Sequence, residues 1–214
     1  METAIPPNNQ IVSKKRVHDH GEVFTSQKEV SSMIDLVQNE AMRIESRFLE
    51  PACGTGNFLS EILKRKLESV KKKYKSNPPD FDFYIVISIS SIYGIDILED
   101  NVQECRKRLL KIVSENISLK NADFQPLVET IKFILSKNIV CGDALTYCRV
   151  DNNEPIVFSQ WSAINSFQIQ REDFQFAHLV ETSKTAIKFR PVKYSPMYYL
   201  KINQEKDKIN KKVV

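Results

Sequence analysis

The segment Phe48-Leu49-Glu50-Pro51-Ala52-Cys53-Gly54-Thr55-Gly56-Asn57-Phe58-Leu59 concentrates the residues of this chain best suited to chemistry. A glycine pair at the carboxyl end of a strand lets the backbone turn tightly and approach a ligand closely. The start of the following helix offers free N–H donors, which suit a carboxylate or phosphate. Two cofactor classes that use such a turn are excluded by spacing. A P-loop requires G-x-x-x-x-G-K-[ST], and no Lys follows these glycines. A dinucleotide fingerprint requires G-x-G-x-x-G, and Leu59 stands where the third Gly belongs.

The elements around the turn must hold it at a sheet edge. Arg47 to Glu50 reads as a short strand, and Phe58, Leu59, Ile62, Leu63 and Leu67 resume a helical period. Upstream, Ser26-Gln27-Lys28-Glu29 is a capping box that opens a helix with Val30, Met33, Ile34 and Val37 on one face. Downstream, Asn77-Pro78-Pro79 breaks the chain. A helical or irregular piece is expected near Phe83–Ser90, then a strand near Ile92–Ile97. Helices are expected over Glu99–Asn116 and Phe124–Leu135, and a short strand over Asn138–Cys141. Alternation of this kind argues an α/β fold with a parallel sheet covered by helices. Beyond Asp143 the pattern weakens to a strand over Pro155–Ile164 and a short helix over Phe174–Glu181.

The acid-Pro-Ala-Cys-Gly-Thr-Gly run closely resembles the first motif of S-adenosylmethionine (SAM)-dependent methyltransferases, particularly the DNA adenine-N6 methyltransferases of restriction–modification systems. Other segments agree in order. Gly21-Glu22-Val23-Phe24-Thr25 resembles the family's "FTP" segment, with Ser26 where the Pro belongs. Ile92-Tyr93-Gly94-Ile95-Asp96-Ile97 resembles the second motif, and Cys141-Gly142-Asp143-Ala144-Leu145 the third. The resemblance spans Arg16 to Leu145 and implies a Rossmann-like methyltransferase fold, here incomplete. It implies SAM as cofactor, held by Phe24, Thr25, Glu50, Pro51, Ala52, Cys53, Gly54, Gly56, Asn57, Phe58, Asp96, Ile97, Asp143 and Ala144. Phe24 and Thr25 would meet the methionine part, Asp96 the ribose hydroxyls, Ile97 the adenine face and Asp143 the adenine amino group. In such enzymes a target adenine is flipped from the duplex and its amino nitrogen takes the methyl group.

One departure limits the implied function. The family carries an [NDS]-P-P-[YFW] motif that receives the flipped base, and none follows Asp143. Asn77-Pro78-Pro79-Asp80 matches by letters, but it precedes the second motif and has Asp in place of the aromatic. It reads as a helix stop, so no residue is named as catalytic. The expected activity is SAM-dependent methylation of adenine N6 in DNA within a restriction–modification system, with this chain supplying the SAM-binding half. DNA would be reached through a partner chain or a missing C-terminal part, with a restriction or specificity subunit as a further partner. The alternatives are a non-catalytic SAM-binding subunit or truncated remnant, and a methyltransferase acting on RNA or protein.

Several local features have blander readings beside these. Asp96 could cap a helix, and Asp143 could merely shape a turn. The 46-residue separation of Glu50 from Asp96 exceeds the ~20 of a simple βαβ unit, an excess ascribed to a Lys-rich, Pro-broken insertion. Cys53 reads as a packing residue rather than a nucleophile. His18-Asp19-His20 reads as solvated, with no metal expected. Trp161, Phe158, Phe167, Phe174 and Phe176 read as core or interface residues.

Composition bounds the rest. The chain has 214 residues with formal charge +4, 42% hydrophobic and 27% charged residues, near globular averages. Seven basic residues against one acid lie between Lys64 and Lys75, a solvated face or a nucleic-acid contact. No stretch approaches the roughly 20 apolar residues of a membrane span, and a cytoplasmic location is expected. Cys53, Cys105, Cys141 and Cys148 form no C-x-x-C pair, so reduced thiols are expected. The organisation expected is a flexible arm over 1–20, a SAM-binding domain over 21–150, its partial continuation over 151–200 and a charged tail over 201–214.

Overall fold

The computed structural model describes residues 13–20, 22–117, 123–165, 167–180 and 191–204. Three helices open the described residues: α1 (Lys14–His20), α2 (Gln27–Asp35) and α3 (Gln38–Ala41). The capping box of α2 forms as expected, with Ser26 Oγ accepting from Glu29 N and the Glu29 carboxylate accepting from Ser26 N at 3.1 Å. Strand β1 (Phe48–Glu50) leads through the glycine turn into α4 (Asn57–Tyr74), α5 (Pro78–Ser90) and β2 (Ile92–Asp96). Then follow α6 (Glu99–Ser114), α7 (Phe124–Asn138), β3 (Ile139–Asp143) and β4 (Cys148–Arg149). The sheet order is β1-β2-β3-β4, with β1, β2 and β3 parallel and β4 antiparallel to β3. This is a mixed α/β fold with a mostly parallel sheet flanked by helices, as the sequence pattern requires.

The register sorts the sheet's two faces. Phe48, Ile92, Ile139 and Cys141 point into the large core made with the helices. Tyr93, Ile95 and Val140 alternate to the other face and form a smaller cluster with Ile156, Phe158 and Phe176. A separate antiparallel sheet of β5 (Val157–Ala163), β6 (Gln168–Gln175), β7 (Val192–Lys193) and β8 (Met197–Tyr198) follows; its Phe158 joins the smaller cluster, while Trp161 and Ile169 pack into the large core. A short helix α8 (Ala177–Val180) follows β6, and a 3-10 helix (Tyr199–Gln204) ends the described chain. Asn138 ties the layers together. Its amide donates to the carbonyls of Ser90 (3.1 Å) and Ile92 (3.3 Å), and its oxygen accepts from Trp161 Nε1 at 3.1 Å.

Within the expected arm, residues 14–20 form helix α1, whose Arg16 pairs with Glu22 and Asp100. Two expectations change. The excess between Glu50 and Asp96 is not a surface insertion. It is α5, buried on almost all sides by Phe83, Ile85, Val86, Ile87 and Ile89, with Pro78 and Pro79 in its first turn. Phe174 and Gln175 complete β6 before any helix begins, because Phe174 pairs with Phe158 across the hairpin. The chain beyond 150 adds no further strand to the first sheet among the described residues. The rest of the expected arm (1–12), Gly21, Glu181 and the tail from 205 lie outside the described residues.

Trp161, Phe158 and Phe176 are buried, as core residues should be. All four cysteines are free thiols. No helix among the described residues is long and apolar enough to cross a membrane.

Candidate functional site

Three acids end the three parallel strands: Glu50 closes β1, Asp96 closes β2 and Asp143 closes β3. Glu50 is level with Gly94, and Asp96 with Cys141. Each acid therefore lies two residues, about 6.6 Å, further along than its neighbour. A two-residue step preserves the side-chain face. The carboxylates form a staircase along the carboxyl edge of the sheet, where open α/β sheets bind ligands.

The glycine turn folds over this edge. Cys53 N donates to Ile95 O at 2.8 Å and Gly56 N to Cys53 O at 2.8 Å, which closes the turn onto β2. Gly54 and Gly56 have φ of +51° and +86°, a region open to glycine at no steric cost. Gly54 N donates to Asp96 Oδ2 at 2.8 Å. A Cβ on Gly54 would sit 3.1 Å from the Phe24 ring, so the upstream segment packs directly on the turn. Gly56 serves packing at the same turn: a Cβ there would stand 2.7 Å from Cys105 Sγ, so the glycine lets α6 approach α4, and it sits between the lining residues Thr55 and Asn57.

A cavity of about 530 Å³ opens above the strand ends. Its wall is formed by Glu22–Thr25, the turn Glu50–Thr55 and the first residues of α4. Asp96–Leu98, Asn101 and Gly142–Leu145 complete it. The structure thus brings together Phe24, Thr25, Glu50, Pro51, Ala52, Cys53, Gly54, Asn57, Phe58, Asp96, Ile97, Asp143 and Ala144.

Glu22, Glu50, Asp96 and Asp143 are the charged residues of this lining, and no Lys, Arg or His is among them. Burial pushes the Glu50 carboxyl above its ordinary range, against a smaller opposing effect of the Ala52 N–H. Asp96 accepts three bonds, from Gly54 N, from Leu98 N (3.0 Å) and from Asn101 Nδ2 (3.1 Å). A carboxylate has about four acceptor sites, so one remains for a ligand. Asp96 is not the helix cap, which is Leu98. Asp143 Oδ1 accepts from Leu145 N at 2.8 Å, so it shapes its turn and faces the cavity at once. The Cys53 thiol is held protonated, above its ordinary range, by its bond with Cys105 and by burial. It packs and is no nucleophile.

Sequence reasoning missed Glu22, Val23, Thr55, Leu98, Asn101, Gly142 and Leu145 as lining residues. Asn101 left a signal, because it precedes Cys105 and Leu109 at helical spacing and so places an amide in the apolar stripe. Leu145 left none as a site residue; it is 88% exposed at the rim.

The lysine run points elsewhere. Lys71, Lys72 and Lys73 occupy the last turn of α4, whose first residues line the cavity. Eighteen residues at 1.5 Å each put them about 25 Å from the glycine turn. Asn77-Pro78-Pro79-Asp80 lies at that same far end and opens α5.

Over 105 residues the chain is 31% identical to a protein of Methanocaldococcus jannaschii that bears the provisional name type II restriction enzyme and methyltransferase. The match takes in 46% of this chain and 8% of that relative's length. No family model matches the chain, and no solved structure matches it.

Proposed function

We propose that the cavity binds SAM and that the chain supplies the methyl-donor half of a DNA adenine-N6 methyltransferase of restriction–modification type. The observation that carries this reading is the charge of the lining: Glu50, Asp96 and Asp143 lie around a glycine turn with no basic side chain in the lining, while the fourth carboxylate, Glu22, is already paired with Arg16. A dinucleotide or nucleoside triphosphate would bring phosphates into that field, at a Coulombic cost heightened by partial burial. SAM brings an ammonium and a sulfonium instead. The cavity volume of about 530 Å³ also falls within the roughly 300–1,000 Å³ of cofactor sites.

SAM would supply an electrophilic methyl group there. The chain's own residues bind and orient. Glu50, without a basic neighbour in the lining, is placed to pair with the ammonium, and its own desolvation would be relieved by that pairing. The remaining acceptor site of Asp96 suits one ribose hydroxyl. Asp143 would accept from the adenine amino group, with Ile97 and Ala144 supplying apolar lining to the same cavity. Phe24 roofs the turn beside the methionine end. DNA as acceptor rests on the motif order and on the name of the M. jannaschii relative.

A second reading, a SAM-binding subunit without its own turnover, is favoured by one observation. The single polar-Pro-Pro sequence after the glycine turn sits at the far end of α4 and builds a helix start. Calorimetric titration with SAM, NAD and ATP tests the cofactor. SAM should bind alone among the three, and Gly54→Asp should abolish binding; a chain that prefers a phosphate-bearing ligand refutes the assignment. Methyl transfer from labelled SAM to DNA, RNA and protein then separates the activities. Binding without transfer supports the second reading.

A further inference from the structure

The segment 22–26 walls the cavity but belongs to no helix or strand. Side chains hold it instead. At one end the Glu22 carboxylate, its side chain only 7% exposed, lies between Arg16 and Asn101. Arg16 Nε and Nη2 donate to its two oxygens at 2.5 and 2.8 Å, and Asn101 Nδ2 donates to Oε1 at 2.7 Å. Asn101 is itself 4% exposed. Its second amide hydrogen goes to Asp96 and its oxygen accepts from Arg16 Nη2 at 3.3 Å, so both donors and one of its two acceptor sites are used. Arg16 Nη1 reaches on to Asp100. At the other end, Asn57 Nδ2 donates to Thr25 O at 2.9 Å while Asn57 Oδ1 accepts from Arg108 Nη1.

Both tethers run to α6, at Asn101 and at Arg108 seven residues on, two helical turns apart. A buried carboxylate is costly unless paired and fully hydrogen-bonded, so Glu22 has one well-defined place. The chain Arg16–Glu22–Asn101–Asp96–Gly54 N then connects α1, the wall segment, α6 and the glycine turn.

We propose that Arg16, Glu22 and Asn101 are positioning residues that clasp the Glu22–Thr25 segment onto α6 and so set how long a ligand stays in the cavity. The identity of that ligand rests on the SAM reading above; the clasp itself does not. Arg16 is the informative position, because it lies outside the cavity lining and cannot touch the ligand directly.

The test uses the full chain with Arg16→Gln and Arg16→Lys. In Arg16→Gln without ligand, amide exchange should quicken at Val23, Phe24 and Thr25 and stay unchanged in β2 and α6. With SAM, dissociation should quicken by about tenfold, the scale of one lost charge-assisted bond network, while association is unaltered. Arg16→Lys keeps the charge without the fork and should recover part of the residence time. Wild-type exchange at 23–25, or quickened exchange with unaltered dissociation, overturns the proposal. Quickened exchange throughout β2 and α6 also overturns it, since Arg16 would then act on the whole fold. A wild-type chain that binds no SAM refutes the cofactor reading, and the exchange arm still decides the clasp.

Discussion

Replacing Lys66 by Met probes the base on which Glu50 is mounted. Lys66 sits in α4 with no exposure to solvent. Its Nζ donates to the carbonyls of Arg43 (2.9 Å), Ile44 (3.0 Å) and Ser46 (2.5 Å), the loop that feeds β1. Burial pushes its ammonium down to about 7, with a smaller push from Arg43, while Glu40 and Glu45 oppose it. Methionine keeps the packing volume and removes the donors. Three carbonyls then lose a partner, each worth about 1 kcal/mol net, and relief of the lysine's desolvation offsets part of the loss. The expected cost at pH 7 is about 2 kcal/mol, read as a lower urea midpoint with unchanged m-value.

The pH dependence carries the sharper test. A lysine whose folded pKa lies below its unfolded value of ~10.4 binds fewer protons folded than unfolded between those two limits. Wild-type stability therefore rises with pH through that window, and the variant lacks the effect. With the folded value at about 7, the gap between the two proteins should widen by roughly 2 kcal/mol from pH 7 to pH 9. Paired urea titrations at both pH values measure it. Equal stabilities at pH 7 with no widening at pH 9 would refute the account of Lys66 as a buried donor to the β1 loop.

Other perturbations follow from the same geometry. Glu50→Gln removes a carboxylate whose folded pKa is raised by burial, so it should stabilise the fold at neutral pH and lose that advantage once both states of the wild type are protonated; the same variant should bind SAM about tenfold more weakly, checked by calorimetry. Gly56→Ala meets both a positive φ and the Cys105 sulfur, and should cost about 3 kcal/mol in a denaturant titration. Asn138→Leu strands Trp161 Nε1 and the carbonyls of Ser90 and Ile92, and should cost about 3 kcal/mol, with Trp161 fluorescence as the probe.

What could be read from the chain alone was local. The strand-turn-helix at Glu50–Phe58, the capping box at Ser26 and the helical stripe of α6 are each written within a few residues, because dihedral preference, end capping and side-chain period act over one or two turns. The three acids were picked out by the resemblance of their motifs, and the fold then sets each at the end of a strand. The glycine spacing excluded a P-loop and a dinucleotide fingerprint, and SAM is what the resemblance of the motif implied. Tertiary structure decided everything that depends on distance across the chain. Only folding shows that Gly56 serves the α4–α6 contact, that Arg16 reaches Asp100, and that Glu22 meets Asn101. It also showed that the apolar run before β2 is a helix sealed in the core rather than part of an insertion. The physical reason is that burial and hydrogen-bond pairing are properties of neighbours in space. Periodicity can mark a polar residue such as Asn101 as misplaced in an apolar stripe, but its partners come from α1, the cavity wall and β2, which no local pattern names.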